Sequence, residues 1–251
     1  MEPRISVIIP TYNEEKDIEK TLLAVKNQIC DIPYEIMVAD GQSSDKTVSI
    51  AKKLSNVCVS PKKGKAFQLN FAVPKTSGEI LLFLDADTII SPYFLQRIYK
   101  KFQRHKNLFA CSARIKYNDK RAIRIKIGPF IFTITKYFFH SMAMAQWYFF
   151  KSLFGYPELS GTNMIVRRDI FFKAGGFKQP PNSLGIDKVF TDSIIYVSRK
   201  MKRGKIKTLN FISVFTSGRH LTIERSMKRI NLYRSKKDVY YDLAKKNELA
   251  S

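Results

Sequence analysis

The first third of the chain alternates short apolar runs with stretches of helical periodicity. The runs at Ile5 to Ile9, Tyr34 to Ala39, Asn56 to Ser60 and Ile80 to Leu84 have the length and the apolar or β-branched content of strands. Between them, apolar residues recur every three or four positions, which predicts helices, the first opening at Asn13. Strands that alternate with helices at short spacing predict an α/β fold with a mostly parallel, Rossmann-like sheet flanked by helices.

The fourth run ends abruptly in two carboxylates, Asp85 and Asp87. An unbroken apolar run fits a strand buried on both faces, and the residues after it then lie at the edge where open α/β sheets bind ligands. The two-residue period of a strand predicts that both carboxylates face one side, where they could share a cation. The alternative is a strand end followed by an acid that caps the next helix, and the Asp-x-Asp pattern alone does not separate the two.

Polar side chains follow all four predicted strands. Because parallel strands end at one edge of a sheet, we expect these side chains to form one site. Such a site offers a polar group for a nucleotide base, cations for phosphates and carboxylates for a metal ion, so it suits a nucleotide diphosphate. In strand order, the residues are Tyr12 and Glu14, Asp40, Lys63 and Lys65, and Asp85 and Asp87.

The remainder of the chain contains fewer and more widely spaced elements. Pro92 to Phe102 predicts a helix, whereas Leu108 to Tyr117, Met164 to Val166 and Phe211 to Phe215 predict strands. We also expect Asp192 to begin a helix, because apolar residues follow it at helical spacing.

Basic residues outnumber acidic ones: 44 Lys and Arg against 21 Asp and Glu give a net charge of +23. This excess favours phosphorylated or polyanionic partners, or an anionic membrane surface, although a basic chain can also reflect solubility alone. Cys30, Cys58 and Cys111 are odd in number and lack metal-ligand spacing, which argues against a disulfide framework or a zinc site. With no signal-peptide pattern at the N-terminus, these features predict a cytoplasmic location.

Residues 121 to 154 hold much of the aromatic content of the chain. Basic residues interrupt the aromatic ones, and no apolar run approaches the ~20 residues of a membrane-spanning helix. This pattern is typical of a segment that lies at the membrane interface, which would make the protein a peripheral membrane protein. A pair of core helices or a dimer surface explains it equally well. The aromatic residues are Phe130, Phe132, Tyr137, Phe138, Phe139, Trp147, Tyr148, Phe149, Phe150 and Phe154.

Several ordered motifs resemble those of the family 2 glycosyltransferases, over residues 5 to about 205. The resemblance implies an inverting enzyme with the GT-A fold that uses a nucleotide-diphosphate sugar. It also implies that a basic residue and an Asn in the motif from Gly64 to Asn70 face the nucleotide. The motifs are Ser6 to Glu15, Ala39 to Asp45, Leu84 to Asp87, Gly64 to Asn70, and Gly161 to Arg168 followed by Gly175-Gly176-Phe177.

The resemblance also implies a role for each motif residue. Asp40 would accept a hydrogen bond from the base, Lys65 would bind the nucleotide, and Asp85 would lie between the ribose and the metal. Asp87 would ligate Mg²⁺ or Mn²⁺, hard cations that prefer carboxylate and phosphate oxygens. The base pocket would be lined by Pro10, Tyr12 and Glu14; the acceptor or diphosphate side would include Gly161, Thr162, Asn163 and Arg219, with His220 as a further metal ligand.

The general base of this family lies in a Glu-Asp pair beyond the Gly-Gly-Phe turn. The matching pair here is Thr191-Asp192, so Asp192 is expected to deprotonate the acceptor hydroxyl, with Asp187 as the alternative. The Gln-x-x-Arg-Trp signature of processive synthases is absent, which favours transfer of a single sugar.

The resemblance predicts one GT-A domain over residues 1–251. Residues 1–117 would bind the nucleotide-sugar, 118–160 would form the aromatic and basic segment, and 161–251 would form the acceptor side and end in a basic helix. The acceptor would be a hydroxyl or a lipid phosphate, at the inner face of the membrane if it is lipid-linked. Two other classes are weighed against this: a basic nucleic-acid-binding protein, and a nucleotidyltransferase, which would normally carry a Gly-rich basic loop after its first strand.

Overall fold

The computed structural model describes residues 2–117, 122–127, 130–135, 159–178 and 185–217. The strands are β1 Ile5–Thr11, β2 Tyr34–Asp40, β3 Asn56–Val59, β4 Ile80–Leu84, β5 Thr88–Ile90, β6 Leu108–Tyr117, β7 Ala122–Ile127, β8 Phe130–Thr135, β9 Asn163–Arg167 and β10 Lys205–Thr216. The helices are α1 Ile18–Lys26, α2 Thr47–Lys52, α3 Lys65–Ala72, α4 Phe94–Arg104, α5 Arg168–Lys173 and α6 Ile186–Lys200, with a 3-10 turn at Val73–Lys75.

Eight of the described strands form one sheet in the order β3-β2-β1-β4-β9-β6-β10-β5. Strands β3, β2, β1 and β4 run parallel, and β6 runs parallel to β10. Strand β9 is antiparallel to both β4 and β6, and β5 is antiparallel to β10. Every residue of β1 and β4 is buried, which explains why their sequences lack an alternation of apolar and polar positions.

Helices cover both faces of the sheet, and alternate residues of β1 and β4 contribute to two cores. On one face, α1 and α4 pack through residues such as Leu22 and Phe102. On the other, α3 and α6 pack through residues such as Leu69 and Phe190. The predicted α/β architecture with flanking helices is confirmed.

The strand register brings the predicted polar loops to one edge. Thr11 pairs with Asp40 and Asp40 with Val59, so β1, β2 and β3 end side by side. Leu84 at the end of β4 pairs with Asn163 at the start of the antiparallel β9. The segment before Asn163 therefore reaches the same edge as the loops that follow β1 to β4, which we call the carboxyl edge.

Two predicted helix starts are wrong. Helix α1 begins at Ile18 instead of Asn13. The reason is that residues after β1 are bound to the loop after β2: the side-chain oxygen of Asn13 accepts a hydrogen bond from the Ser44 N–H at 2.9 Å. Asn13 also has a φ of 55°, which is incompatible with a right-handed helix.

The second wrong start concerns Asp192, which lies inside α6 and not at its beginning. The helix starts at Ile186, directly after Gly185, whose backbone is extended. Val189 and Phe190 are buried, so the apolar face of the helix begins before Asp192. Asp187, in contrast, occupies the first turn, where a carboxylate interacts favourably with the helix dipole.

The aromatic and basic segment is described only at its start. Strands β7 and β8 form an antiparallel hairpin with six residue pairs, from Ala122 with Thr135 to Ile127 with Phe130. The described residues contain no helix that is long and apolar enough to cross a membrane. The remaining aromatic residues of the segment lie outside the described ranges, so the interfacial interpretation stays a prediction.

A polar network holds the edge of the sheet opposite to the carboxyl edge. The Glu35 carboxylate accepts hydrogen bonds from the Ser6 hydroxyl at 2.7 Å and from the Ser77 and Gly78 N–H groups at 2.6 and 3.1 Å. The guanidinium of Arg168 donates to the Gly78 carbonyl at 2.6 Å. Burial would raise the pKa of Glu35, but these hydrogen bonds to its charged form outweigh it and lower the pKa.

Candidate active site

Asp40 organises the loop that follows β2. Its carboxylate is fully buried and accepts hydrogen bonds from the Thr11 hydroxyl at 3.0 Å, the Ser43 N–H at 2.8 Å and the Ser43 hydroxyl at 2.6 Å. The sequence predicted a hydrogen bond from a nucleotide base to this carboxylate. In the structure three hydrogen bonds from Thr11 and Ser43 already use this carboxylate, and its contact with a base stays a prediction.

The loops after β1 and β2 are joined by further hydrogen bonds. The Asn13 N–H donates to the Ser43 hydroxyl at 2.9 Å, and the Glu14 N–H donates to the Thr47 hydroxyl at 2.7 Å. Pro10 is buried inside β1, opposite Ala39. Of the residues predicted to line the base pocket, Pro10 therefore lies buried in the sheet beneath the loops. Glu14 is held in place by the hydrogen bond from its backbone N–H to Thr47.

Tyr12 presents an aromatic ring to solvent at the carboxyl edge. Half of its surface is exposed, at 51%, and the ammonium group of Lys63 lies 5.1 Å from the ring centroid. An exposed ring of this kind offers a surface on which a planar base can stack. Tyr12 directly follows Thr11, which pairs with Asp40, and its role in base binding stays a prediction.

Gln68 is a site residue that the sequence did not reveal. Its buried side-chain amide donates to the carbonyls of Thr11 at 2.6 Å and Ala39 at 3.1 Å, which fixes the ends of β1 and β2 relative to α3. A Cβ at Gly41 would lie 2.5 Å from the Gln68 amide nitrogen, so the loop requires glycine there. The available signal was a polar residue between Ala66 and Leu69 on the buried side of α3.

Lys65 connects the two halves of the site. Its ammonium group forms an ion pair with the Asp85 carboxylate and donates to the Gly161 carbonyl at 2.9 Å. The Asp85 N–H donates to the Thr162 carbonyl at 3.0 Å. The loop after β4 and the segment before β9 are thus held together by one charge-assisted contact and one backbone hydrogen bond.

Asp187 reaches the same cluster from the first turn of α6. Its carboxylate accepts a hydrogen bond from the Gly161 N–H at 3.0 Å. The carbonyl of the same Gly161 accepts the hydrogen bond from Lys65. Asp192 lies further along α6 and forms an ion pair with Lys188 in the same helix. The structure therefore brings the alternative base, Asp187, into contact with the Lys65 and Asp85 cluster, and it gives Asp192 a different partner.

Asp85 and Asp87 lie in a turn and not in a strand. Strand β4 ends at Leu84, and the Thr88 N–H donates to the Asp85 carbonyl at 3.1 Å. The two-residue strand period that predicted a common orientation therefore does not apply to this pair. Asp87 is half-buried and accepts a hydrogen bond from the Thr216 hydroxyl, at the end of β10, at 3.1 Å.

The donor set at this turn suits a hard divalent cation. Two half-buried carboxylates, Asp85 and Asp87, would supply oxygen atoms of the kind that such a cation prefers. Within the described ranges no cluster of three or more His, Cys, Asp or Glu side chains forms a complete metal site. His220 and Arg219, predicted as further groups near the diphosphate, lie outside the described residues.

Two predicted residues have structural contacts that the sequence did not foresee. Asn163 is buried, and its amide donates to the Ala113 carbonyl at 3.3 Å, which ties β9 to β6. Asn70 was expected to face the nucleotide. Its side chain is hydrogen-bonded to the backbone of Phe177, and its contact with a nucleotide stays a prediction.

The fold is similar to that of a solved glycosyltransferase. A mannosyltransferase from Pyrobaculum calidifontis, solved in complex with GDP-Man and Mn²⁺, aligns with a TM-score of 0.64 at 22% identity, covering 91% of this chain and 61% of that one. At this identity the likeness defines the fold, and it confirms the predicted GT-A fold.

The family model described as Glycosyl transferase family 2 matches residues 6–173, more than half of the chain. The chain therefore belongs to glycosyl transferase family 2. A Dolichol-phosphate mannosyltransferase from Pyrococcus furiosus is 27% identical over 119 residues, covering 45% of this chain and 34% of the relative. A Beta-monoglucosyldiacylglycerol synthase from Trichormus variabilis is 28% identical over 204 residues, covering 75% of this chain and 41% of the relative. The chain spans less than half the length of the curated relatives that it matches.

Proposed function

We propose that the chain is an inverting, metal-dependent glycosyltransferase that transfers one sugar per reaction from a nucleotide-diphosphate sugar to an acceptor. The observation that carries this proposal is the cluster in which Lys65 joins Asp85 to Gly161, and Gly161 is bound by Asp187. It brings a cation and carboxylates from both halves of the chain to the sheet edge where nucleotides bind in open α/β folds. Membership of glycosyl transferase family 2 favours this function over nucleic-acid binding or nucleotidyl transfer.

In this proposal residues 1–117 bind the donor and residues 161–251 bind the acceptor. The base stacks on Tyr12 above the floor formed by Pro10 and Glu14, while Asp40 orders the loop that encloses it. Lys65 binds the diphosphate and keeps Asp85 oriented toward the ribose. The exposure of Tyr12 and the position of Lys65 at the start of α3 support these assignments.

Asp87, assisted by Asp85, would hold Mg²⁺ or Mn²⁺ in the proposed enzyme. When bound, the cation neutralises the negative charge that develops on the departing nucleotide diphosphate. The solved mannosyltransferase with the same fold carries Mn²⁺ together with its donor, which supports a divalent cation without deciding between the two metals.

The chemical step is a direct displacement with inversion at the sugar carbon. The acceptor oxygen forms a bond to that carbon as the bond from carbon to phosphate oxygen breaks, and the bonding electrons leave with the nucleotide diphosphate. A carboxylate takes the proton of the acceptor hydroxyl. Asp192 is the base predicted from the sequence, and the contact between Asp187 and Gly161 supports Asp187 as the alternative.

We also propose that the acceptor is lipid-linked and that the enzyme acts at the cytoplasmic face of a membrane. The names of the Pyrococcus and Trichormus relatives refer to dolichol phosphate and to a diacylglycerol lipid, which supports this acceptor class. The net charge of +23 favours contact with anionic headgroups.

A thermal-shift panel of nucleotide-sugars with and without Mn²⁺ or Mg²⁺ tests the proposal. One donor is expected to stabilise the protein in a metal-dependent manner, by about 2.7 kcal/mol at a hundredfold excess over its Kd. Asp87→Asn should abolish the metal-dependent part. The matched control Asp169→Asn, an exposed carboxylate paired with Lys173 on α5, should retain it. If no nucleotide-sugar stabilises the protein with either metal, the proposed function is wrong.

A further inference from the structure

A second concentration of charge lies at the end of the sheet opposite to the carboxyl edge. Here the last turn of α4, the loop that follows it and the first residues of β10 line an open pocket of about 380 Å³. Among its described lining residues there is no carboxylate. Six of them carry basic side chains: Lys101, Arg104, His105, Lys106, Lys205 and Lys207, which we call the basic pocket.

The basic pocket has rigid walls. Arg167 donates to the carbonyls of Leu108 at 2.9 Å, Phe102 at 2.6 Å and His105 at 3.2 Å, so the C-terminal end of α4 is fixed to β9. The Lys205 N–H donates to the Asn107 carbonyl at 2.7 Å, which fixes the start of β10 to the same loop. The basic side chains therefore project from a backbone that is already in place, and a ligand would not have to order it.

The basic side chains border one pocket, and five of the six are exposed to solvent. Lysines at a helix end can simply complement the helix dipole, and lysines on an edge strand can prevent aggregation, but neither role requires them to surround one cavity. The pKa of His105 is lowered, first by the charge of Lys101, then by desolvation and by the charges of Lys207, Arg104 and Lys205. Like charges held this close repel one another, and a bound anion would remove that cost.

We propose that the basic pocket is a binding site for a phosphate ester, separate from the donor site. Its concave shape suits a single phosphorylated group better than a polynucleotide, which needs an extended groove with several phosphate contacts. Strand β10 connects the two sites. Lys205, in the basic pocket, begins the strand, and Thr216 at its other end donates a hydrogen bond to Asp87 of the proposed donor site. Lys205 pairs with Leu108 and Thr216 with Tyr117 of β6, nine residues apart, so at about 3.3 Å per residue the two ends are separated by roughly 30 Å.

Two sources could supply such a phosphate: a soluble phosphorylated metabolite or the headgroup of an anionic lipid. Phe211 distinguishes them, because its ring is 57% exposed and lies 5.4 Å from the Lys101 ammonium group, beside the pocket. A lipid would bring acyl chains next to this ring, whereas a soluble ester would not contact it.

The test uses His105, one of three histidines in the chain, as an NMR reporter. Its ring resonances, assigned with His105→Asn, are followed while glycerol 3-phosphate or inorganic phosphate is added at constant ionic strength. We expect a saturable shift and a raised pKa for His105. The pocket variant Lys205→Gln/Lys207→Gln should weaken binding at least fivefold. The control Lys52→Gln/Lys53→Gln, which removes the same charge from exposed positions at the C-terminal end of α2, should not.

Co-sedimentation with phosphatidylcholine vesicles that contain phosphatidylglycerol separates the two sources. If the ligand is a lipid, both the pocket variant and Phe211→Ser lose vesicle binding relative to the control pair. If it is a soluble ester, the histidine shift saturates while all variants bind vesicles equally. The proposal is overturned if phosphate shifts His105 without saturation, or if the pocket and control pairs lose binding equally. Neither result bears on the donor site, because none of these residues lies at the carboxyl edge.

Discussion

Asn70 and Phe177, which are 107 residues apart in sequence, exchange two hydrogen bonds. The Asn70 amide donates to the Phe177 carbonyl at 2.7 Å, and its side-chain oxygen accepts from the Phe177 N–H at 2.9 Å. Gly176 precedes this contact with a φ of +67°, and a Cβ there would lie 2.8 Å from the Asn70 oxygen. One side chain of α3 therefore fixes a turn of the proposed acceptor half to the proposed donor half.

Asn70→Ala tests this link. The substitution leaves the N–H and the carbonyl of Phe177 without partners in a partly buried place, so the free energy of unfolding should fall by about 2 kcal/mol. Urea unfolding measures the change. Asn56→Ala, at an exposed position of β3, is the control and should cost less than about 0.5 kcal/mol. Equal losses in the two variants would show that the Asn70 contact contributes nothing specific.

Gly41 and Gln68 should be energetically coupled. Gly41→Ala alone forces a Cβ to within 2.5 Å of the Gln68 amide, and Gln68→Ala alone removes the amide that donates to the Thr11 and Ala39 carbonyls. Each single variant should lose about 1–3 kcal/mol of unfolding free energy. The double variant should lose less than the sum, because removing the Gln68 side chain also removes the clash. A double-mutant cycle by urea unfolding measures this, and strict additivity would contradict it.

Glu35 should make stability depend on pH in the acidic range. Its folded-state pKa is below the ordinary value of 4.5, so its contribution is present above that value and is lost as the pH falls through the folded-state pKa. Glu35→Gln should therefore flatten the dependence of unfolding free energy on pH below about 4.5. Urea titrations from neutral pH to about pH 3 test this, with the exposed Glu19→Gln as a control that keeps the wild-type slope. The same slope in both variants would contradict the prediction.

Asp187→Asn and Asp192→Asn decide which carboxylate is the general base. Loss of the base should lower kcat by about a hundredfold or more while the KM for the donor changes little. The other variant should retain kcat within about tenfold. If Asp187 only positions Gly161, its variant should instead raise the donor KM, because the Lys65 contact to Gly161 would be disturbed. Steady-state kinetics with separate kcat and KM values distinguish these outcomes.

Much of the fold followed from patterns within single segments. Strands β1 and β4 were predictable because strands buried on both faces must be apolar throughout. The common edge for Tyr12, Asp40 and Asp85 followed as well, since parallel strands all end on the same side. Periodicity did not locate the start of α6, because the residues from Ile186 to Asp192 are too few to show a complete apolar face.

The sequence by itself determined the parallel strands β1 to β4, the family and the set of polar loops, because each depends on local patterns and their order along the chain. Only the tertiary structure decided which side chains meet within those loops. The contacts of Lys65 with Gly161 and of Gln68 with Thr11 join residues 96 and 57 positions apart. Such contacts depend on how helices and strands pack across the sheet, and no spacing rule within one segment specifies that packing.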